Sequence, residues 1–223
     1  LVRSRGLGDV YKRQALPLHR NQKLKTMNTV ITNVLNGQFP KGTLILGIGG
    51  GGANFLDYVQ KNSPQPIRCI ACDTKPEGIA YAQSKGLATL YLGEEQDIST
   101  TPKKAEAIAQ AKIDMIDKVL EDTKLLFVFT TLGGNTGTGV APVVVERALD
   151  LEIPVKVAVT IPFSFEGKER RKQALVAADF LKKKVADTLV FDMDSLKEEV
   201  GNYGVGEGFA EIDKRIWGHL LES

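Results

Sequence analysis

Two glycine-rich runs hold the residues whose type and spacing most plainly serve chemistry. The first, Gly47-Ile48-Gly49-Gly50-Gly51-Gly52-Ala53-Asn54, follows the apolar segment Thr43–Leu46. The second, Gly133-Gly134-Asn135-Thr136-Gly137-Thr138-Gly139, follows Leu125–Phe129. Glycine lets backbone N–H groups come close to an anion, and a helix that starts there adds the positive end of its dipole. Phosphate is the ligand this chemistry suits. Two such runs in one chain point to a nucleotide whose phosphates are held from both sides. Hydroxyls from Thr136 and Thr138 extend the second row of donors, and a pair of amide nests suits a triphosphate better than a bridging pyrophosphate.

The first run alone also fits a dinucleotide-binding fingerprint. Gly47, Gly49 and Gly52 satisfy G-x-G-x-x-G, and Asp73 lies where an acid could reach a ribose hydroxyl. A nicotinamide- or flavin-dependent oxidoreductase is therefore a competing expectation. Against it, no His, Tyr-Lys or Cys constellation is placed to move protons, and the only histidines are His19 and His219. Cys69 and Cys72 have C-x-x-C spacing, but they fall in the strand-like run Ile67–Asp73, where residues three apart face opposite sides. Both are read as small buried apolar groups.

The elements that would position these runs alternate between strand and helix. The pattern predicts a short helix over Asn28–Gly37, strands at Thr43–Ile48, Ile67–Asp73 and Ala88–Leu92, and helices over Gly50–Lys61 and Pro76–Ser84. Thr101 N-caps a helix that has Pro102 in its first turn, and apolar spacing carries that helix to about Asp122. Strands follow at Lys124–Thr130, Val155–Ile161 and Thr188–Asp192, with helices over Gly137–Leu149 and Lys168–Lys183. Leu196–Val200 reads as one helical turn, Gly201–Gly208 as a loop, and Phe209–Leu221 as a helix. Near-continuous Val/Ile/Leu/Phe strands alternating with helices give an α/β fold: a doubly wound, mainly parallel, Rossmann-like sheet with helices on both faces. Ligands of such sheets bind outside the carboxyl ends of the strands, so both glycine runs are expected on one rim.

The chain has 223 residues, with 43% hydrophobic and 25% charged, which suits one α/β domain with a sizeable core. Its net charge of +2 is uneven. Residues 1–26 hold seven Lys/Arg and one acid, leaving 22 basic against 26 acidic residues in the remainder. The body is thus mildly acidic, and no nucleic-acid partner is expected. No apolar run approaches the roughly 20 residues of a membrane span, and no signal peptide is evident, so a cytoplasmic location is expected. Leu1–Gln14 resembles an adapter-derived translation, and residues 1–26 are set aside as a non-native or disordered basic tail.

Three segments together resemble the FtsZ-like GTPases of the tubulin superfamily: G-I-G-G-G-G-A-N, G-G-N-T-G-T-G, and Pro162-Phe163-Ser164-Phe165-Glu166-Gly167-Lys168-Glu169-Arg170. The resemblance runs from about Thr43 to the end of the chain. It implies that Gly49, Gly50, Gly51 and Gly52, with Gly133, Gly134, Asn135, Thr136, Gly137, Thr138 and Gly139, hold the phosphates of GTP or GDP. Asp73-Thr74 stands where the family has Asn-Thr and joins the same site. Asn54 would face the guanine base, and Glu166 and Arg170 would bind the ribose. Phe209 and Asp213 match a family F-x-x-x-[ND] pattern in which the aromatic stacks on guanine and the polar residue reads its edge. A carboxylate at Asp213 can accept from guanine N1–H and the exocyclic amine, a pair of donors that adenine lacks. Ile212, Ile216 and Leu220 read as a core stripe at helical spacing.

Several positions depart from the family. Asn135 replaces a usual Gly, Lys75 an acid, and the polar segment Glu94–Thr100 a longer Gly/Ala loop that touches the γ-phosphate. Asp97 and Ser99 are the candidates for that role within this segment. Mg²⁺ would accompany the nucleotide, with ligands unassigned. The resemblance further implies a cell-division protein that self-associates head-to-tail into filaments, with other division proteins as partners. Hydrolysis would require acidic residues on a neighbouring subunit's activating loop, which follows the central helix. The expected organisation is therefore a GTP-binding domain over 27–208 and the start of the central helix over 209–223, as a fragment that binds GTP without efficient hydrolysis. A non-hydrolysing regulator of filaments is the other alternative.

Overall fold

The computed structural model describes residues 39–93, 101–200 and 205–222. The helix expected over Asn28–Gly37, the segment Glu94–Thr100 with Asp97 and Ser99, and the first half of the Gly201–Gly208 loop lie outside those residues, while the second half of that loop is helical.

Apolar runs become strands and the segments between them become helices. In chain order the elements are β1 (Thr43–Ile48), α1 (Gly49–Asn62), β2 (Arg68–Asp73), α2 (Pro76–Ser84), β3 (Ala88–Tyr91), α3 (Pro102–Ala111), α4 (Ile113–Leu120), β4 (Leu125–Thr131), α5 (Asn135–Asp150), β5 (Val155–Ile161), a 3-10 turn (Ser164–Glu166), α6 (Lys168–Lys184), β6 (Leu189–Asp192), α7 (Met193–Val200) and α8 (Val205–Glu222). The strands form one parallel sheet ordered β3-β2-β1-β4-β5-β6. All six residues of β1, and the first six of β4, are buried, as a sheet covered on both faces requires.

Alternate strand residues feed two cores. Leu44, Leu46, Val128 and Val159 pack under α3, α4, α5 and α6. Ile45, Phe127 and Ala158 pack on the other face, against Phe55 and Leu56 of α1 and Ile212, Ile216 and Leu220 of α8. Burying each such large side chain contributes about 1.5–3 kcal/mol. Cys69 and Cys72 are free and buried, and they fall in opposite cores, as their strand spacing requires. Burial pushes the Cys69 thiol up to about 11 and the Cys72 thiol higher still.

Several boundaries differ from expectation. The helix after Thr101 is interrupted at Lys112, whose amide is shared between the Ile108 and Ala109 carbonyls. No Gly or Pro marks that break, and the apolar period runs across it. Helix α5 begins at Asn135, two residues early, because Asn135 and Thr136 enter the first turn. Helices α7 and α8 begin ahead of Leu196 and Phe209. The Thr101 cap is present, with its hydroxyl accepting from the Lys104 amide at 3.2 Å.

Candidate functional site

The strand order reverses between β1 and β4. These strands are hydrogen-bonded neighbours, with Gly47 opposite Phe129 and Ile48 opposite Thr130. Each ends in one of the glycine runs, so both runs occupy a single edge at the switch point of the sheet. They also lie side by side: a Cβ placed on Gly49 would come to 3.7 Å from the Gly137 amide nitrogen.

The glycines do different work. Gly47 and Gly52 are pressed together, so that a Cβ on Gly47 would come within 2.5 Å of the Gly52 carbonyl oxygen. A side chain on Gly51 would collide with Thr131 at the end of β4, and one on Gly137 with Thr130. One on Gly139 would strike the Pro102 carbonyl where α5 crosses α3. Close packing accounts for these positions. Gly50 and Gly134 instead border open space, with nothing within 4 Å of an added Cβ. Gly49 and Gly133 have φ of 76° and 87°, where any L side chain would be strained.

Helices α1 and α5 both start at this edge. Their N-cap residues are Ile48 and Gly134, neither cap makes a side-chain hydrogen bond, and neither first turn holds an acid. Two helix starts with positive dipole ends and no carboxylate of their own therefore lie together. The arrangement is suited to an anion.

Asp73, Thr74, Thr136 and Thr138 support this edge from within. Asp73 is buried, and its Oδ1 accepts from the Thr74 amide (2.7 Å), the Lys75 amide (3.1 Å) and the Thr136 hydroxyl (2.9 Å). Thr74 is fully buried and pairs with Thr136, hydroxyl to hydroxyl, at 2.9 Å. The Thr138 hydroxyl accepts from the Gly133 amide at 2.8 Å. These side chains shape the turns through internal hydrogen bonds. Asn135 is half-buried at the start of α5.

Glu166 and Arg170 flank the second run. They form an ion pair at 3.2 Å, Glu166 Oε1 accepts from the Phe163 amide at 2.9 Å, and the Arg170 side chain lies over Gly133. Arg171 fastens this turn to the sheet. It donates to the Pro162 carbonyl at 2.7 Å and pairs with Asp192 and Asp194, while Asp194 accepts from the Ser164 amide. Burial would raise the Asp192 carboxyl, but Arg171 outweighs it and holds the group below the usual range.

The other residues lie on α1 and α8, which pack against each other. Phe209 is 44% exposed, while Ile212, Ile216 and Leu220 are buried, so the stripe is core except at the position expected to stack. Asp213, one turn beyond Phe209, is pushed up to about 7 by burial and then by the nearby Asp57 carboxylate. Asp57 itself is held low: burial opposes ionisation, but hydrogen bonds from Lys61 (2.9 Å) and Lys85 (3.0 Å) prevail. Asn54 is exposed one turn before Tyr58, and its Oδ1 accepts from the Tyr81 hydroxyl at 2.5 Å. Sequence reading did not single out Tyr81, Asp57, Lys85 or Thr131. Their roles come from contacts between α1, α2 and β4 that no local spacing reveals.

This geometry defines a doubly wound α/β domain whose switch point carries a cradle suited to an anion. The description "Tubulin/FtsZ family, GTPase domain" matches residues 43–201, and the chain belongs to that family. "Cell division protein FtsZ" of Porphyromonas gingivalis is 31% identical over 190 residues, covering 82% of this chain and 41% of the relative. Among solved structures, an empty FtsZ dimer from M. jannaschii superimposes with a TM-score of 0.72 at 23% identity, covering 92% of this chain and 58% of the other. A GTPγS-bound protofilament of CetZ2 from Haloferax volcanii gives 0.68 at 20% identity, covering 80% and 58%. The chain spans less than half the length of the curated relatives it matches.

Proposed function

We propose that this chain is the guanine-nucleotide-binding part of an FtsZ-like polymerising GTPase. The observation that carries this reading is the meeting of two uncapped helix starts at the β1/β4 edge. The backbone amides of Gly49–Gly52 and Gly133–Gly139 bind the phosphates, with Gly50 and Gly134 bordering the space they occupy. Glu166 and Arg170 hold the ribose. Phe209 stacks on the base, and Asp213 and Asn54 read its edge. Asp73 and Thr74 contribute by holding Thr136 and the second turn in place. Mg²⁺ would accompany the triphosphate, partnered by phosphate oxygens, with its protein ligands unassigned.

Hydrolysis occurs on assembly, when acidic residues of a neighbouring subunit orient the attacking water. The full protein assembles head-to-tail, works with other division proteins and resides in the cytoplasm. Among the described residues, no helix is long and apolar enough to cross a membrane. A dinucleotide enzyme would need Asp73 at a ribose, whereas its carboxylate already accepts three internal hydrogen bonds.

Calorimetric titration with GTP, ATP and NADH tests the ligand. Tight binding of GTP alone is expected, and equal binding of ATP overturns the reading. In single-turnover assays the chain by itself is expected to cleave GTP slowly. Rapid cleavage by the isolated chain refutes the need for a neighbour.

A further inference from the structure

We propose that Tyr81 is a positioning residue for base recognition: its hydroxyl fixes the Asn54 carboxamide so that the amide NH₂ group, and not the carbonyl, faces O6 of a bound guanine. This inference rests on the guanine-nucleotide reading above.

The residues form a connected line from α1 to α2. Lys61 and Lys85 both donate to Asp57 Oδ2. The Lys85 ammonium lies 5.0 Å from the centroid of the Tyr81 ring, and the Tyr81 hydroxyl donates to Asn54 Oδ1 at 2.5 Å. A carboxamide has one acceptor end and one donor end. With Oδ1 engaged by Tyr81, Nδ2 is turned the other way, and among the described residues it makes no further hydrogen bond. Asp57, one turn along α1 from Asn54, acts on Asp213 electrostatically, and α1 packs against α8, so Asp213 lies near this part of α1.

The consequence is a division of labour. Asp213 offers acceptors, which suit guanine N1–H and the exocyclic amine. Asn54, oriented by Tyr81, offers a donor, which suits O6. Guanine presents acceptors at O6 and N7, whereas adenine carries an amino donor at the sixth position. A carboxamide free to flip could serve either base. Held with its oxygen toward the Tyr81 hydroxyl, it meets adenine with donor against donor.

The test compares GDP, 6-thio-GDP and IDP on the full chain and on Tyr81→Phe. The three share their phosphates, so phosphate contacts cancel. Sulfur is a weak acceptor, so 6-thio-GDP weakens the O6 contact, while IDP lacks only the exocyclic amine. One neutral hydrogen bond corresponds to about tenfold in affinity, so the wild-type chain is expected to prefer GDP to 6-thio-GDP by roughly that factor. Tyr81→Phe keeps the ring against Lys85 and is expected to bring that preference within about threefold, with the GDP:IDP ratio unchanged. A variant that keeps the wild-type GDP:6-thio-GDP ratio overturns the proposal, as does a GDP:IDP ratio that falls in step, because that would be general loosening. A wild-type chain that binds GDP without an O6 preference also overturns it. Failure of the wild-type chain to bind GDP at all sinks the nucleotide reading, and this inference with it.

Discussion

The Thr136 hydroxyl donates to Asp73 Oδ1 across 2.9 Å, and this contact ties the end of β2 to the first turn of α5. The same oxygen holds the Thr74 and Lys75 amides, so one buried carboxylate organises the turn after β2 and the start of the second glycine run. Asp73→Ala leaves those donors without an acceptor. It is expected to lower stability by about 2–4 kcal/mol in urea unfolding, and to weaken nucleotide binding through a displaced Thr136. Asp73→Asn retains an acceptor and is expected to be milder. Equal stability of Asp73→Ala and wild type would remove this carboxylate from its structural role.

Gly50 and Gly51 are adjacent, yet substitutions there should act in opposite directions. A methyl at Gly51 meets Thr131, and overpacking of this kind costs about 1–3 kcal/mol. A methyl at Gly50 meets nothing, and in the first turn of α1 replacing Gly by Ala stabilises by about 0.4–1 kcal/mol through lower entropy of the unfolded chain. Gly51→Ala should therefore unfold at lower temperature, and Gly50→Ala at an equal or higher one. Gly50→Ala should still lose nucleotide affinity, because the added methyl projects into the space assigned to phosphate. Thermal melts alongside GTP titrations of both variants check the pair.

Asp213 sets a pH dependence of known sign. Its carboxyl is raised from 3.8 to about 7, so the folded chain holds that proton more tightly than the unfolded chain does. The associated stability is complete below pH 3.8 and is lost as pH rises through about 7. Asp213→Asn removes that slope. The variant should gain on wild type by on the order of 2 kcal/mol between pH 4 and pH 8, less than the full linkage because the side chain keeps some contact with solvent. Guanine binding runs the other way, since only the ionised carboxylate accepts from both base donors. GDP should bind about tenfold tighter at pH 8 than at pH 6, and Asp213→Asn should bind with little pH dependence. Calorimetry across that range separates the two signs.

Cys69 and Cys72 should behave as inert core residues. They lie on opposite faces of β2, and burial holds both thiols in the protonated form. Alkylation of the native chain should be at least about 100-fold slower than in urea, and oxidants should form no disulfide between them. Rapid native labelling, followed by mass spectrometry, would show that β2 opens far more readily than its packing implies.

Much of this architecture could be read from residue patterns. The strands were visible because Thr43–Ile48 and Leu125–Thr131 are nearly unbroken apolar runs. Pro102 after Thr101 announced a helix through local chemistry. The placement of both glycine runs on one edge followed from the parallel alternation of elements. The division among the glycines was not legible, because Gly50 and Gly51 differ only in what stands opposite them. The internal engagement of Asp73 and Thr136 was also hidden, since the residues are 63 positions apart and meet only through the sheet. The break at Lys112 gave no signal, because neither residue type nor period changes there.

Strand β4 joins β1 across a long stretch of chain: the Thr130 hydroxyl reaches the Ile48 carbonyl 82 residues away. Contacts of such separation form late, because loop-closure entropy must be overcome first. The cradle is therefore expected to assemble only once β4 has joined β1, after its first turn and α1 have formed. A ligand that needs both turns binds only after the centre of the sheet has closed, and its binding draws the chain toward that closed state by mass action. Occupancy of the cradle is thus also a report on folding completed around it.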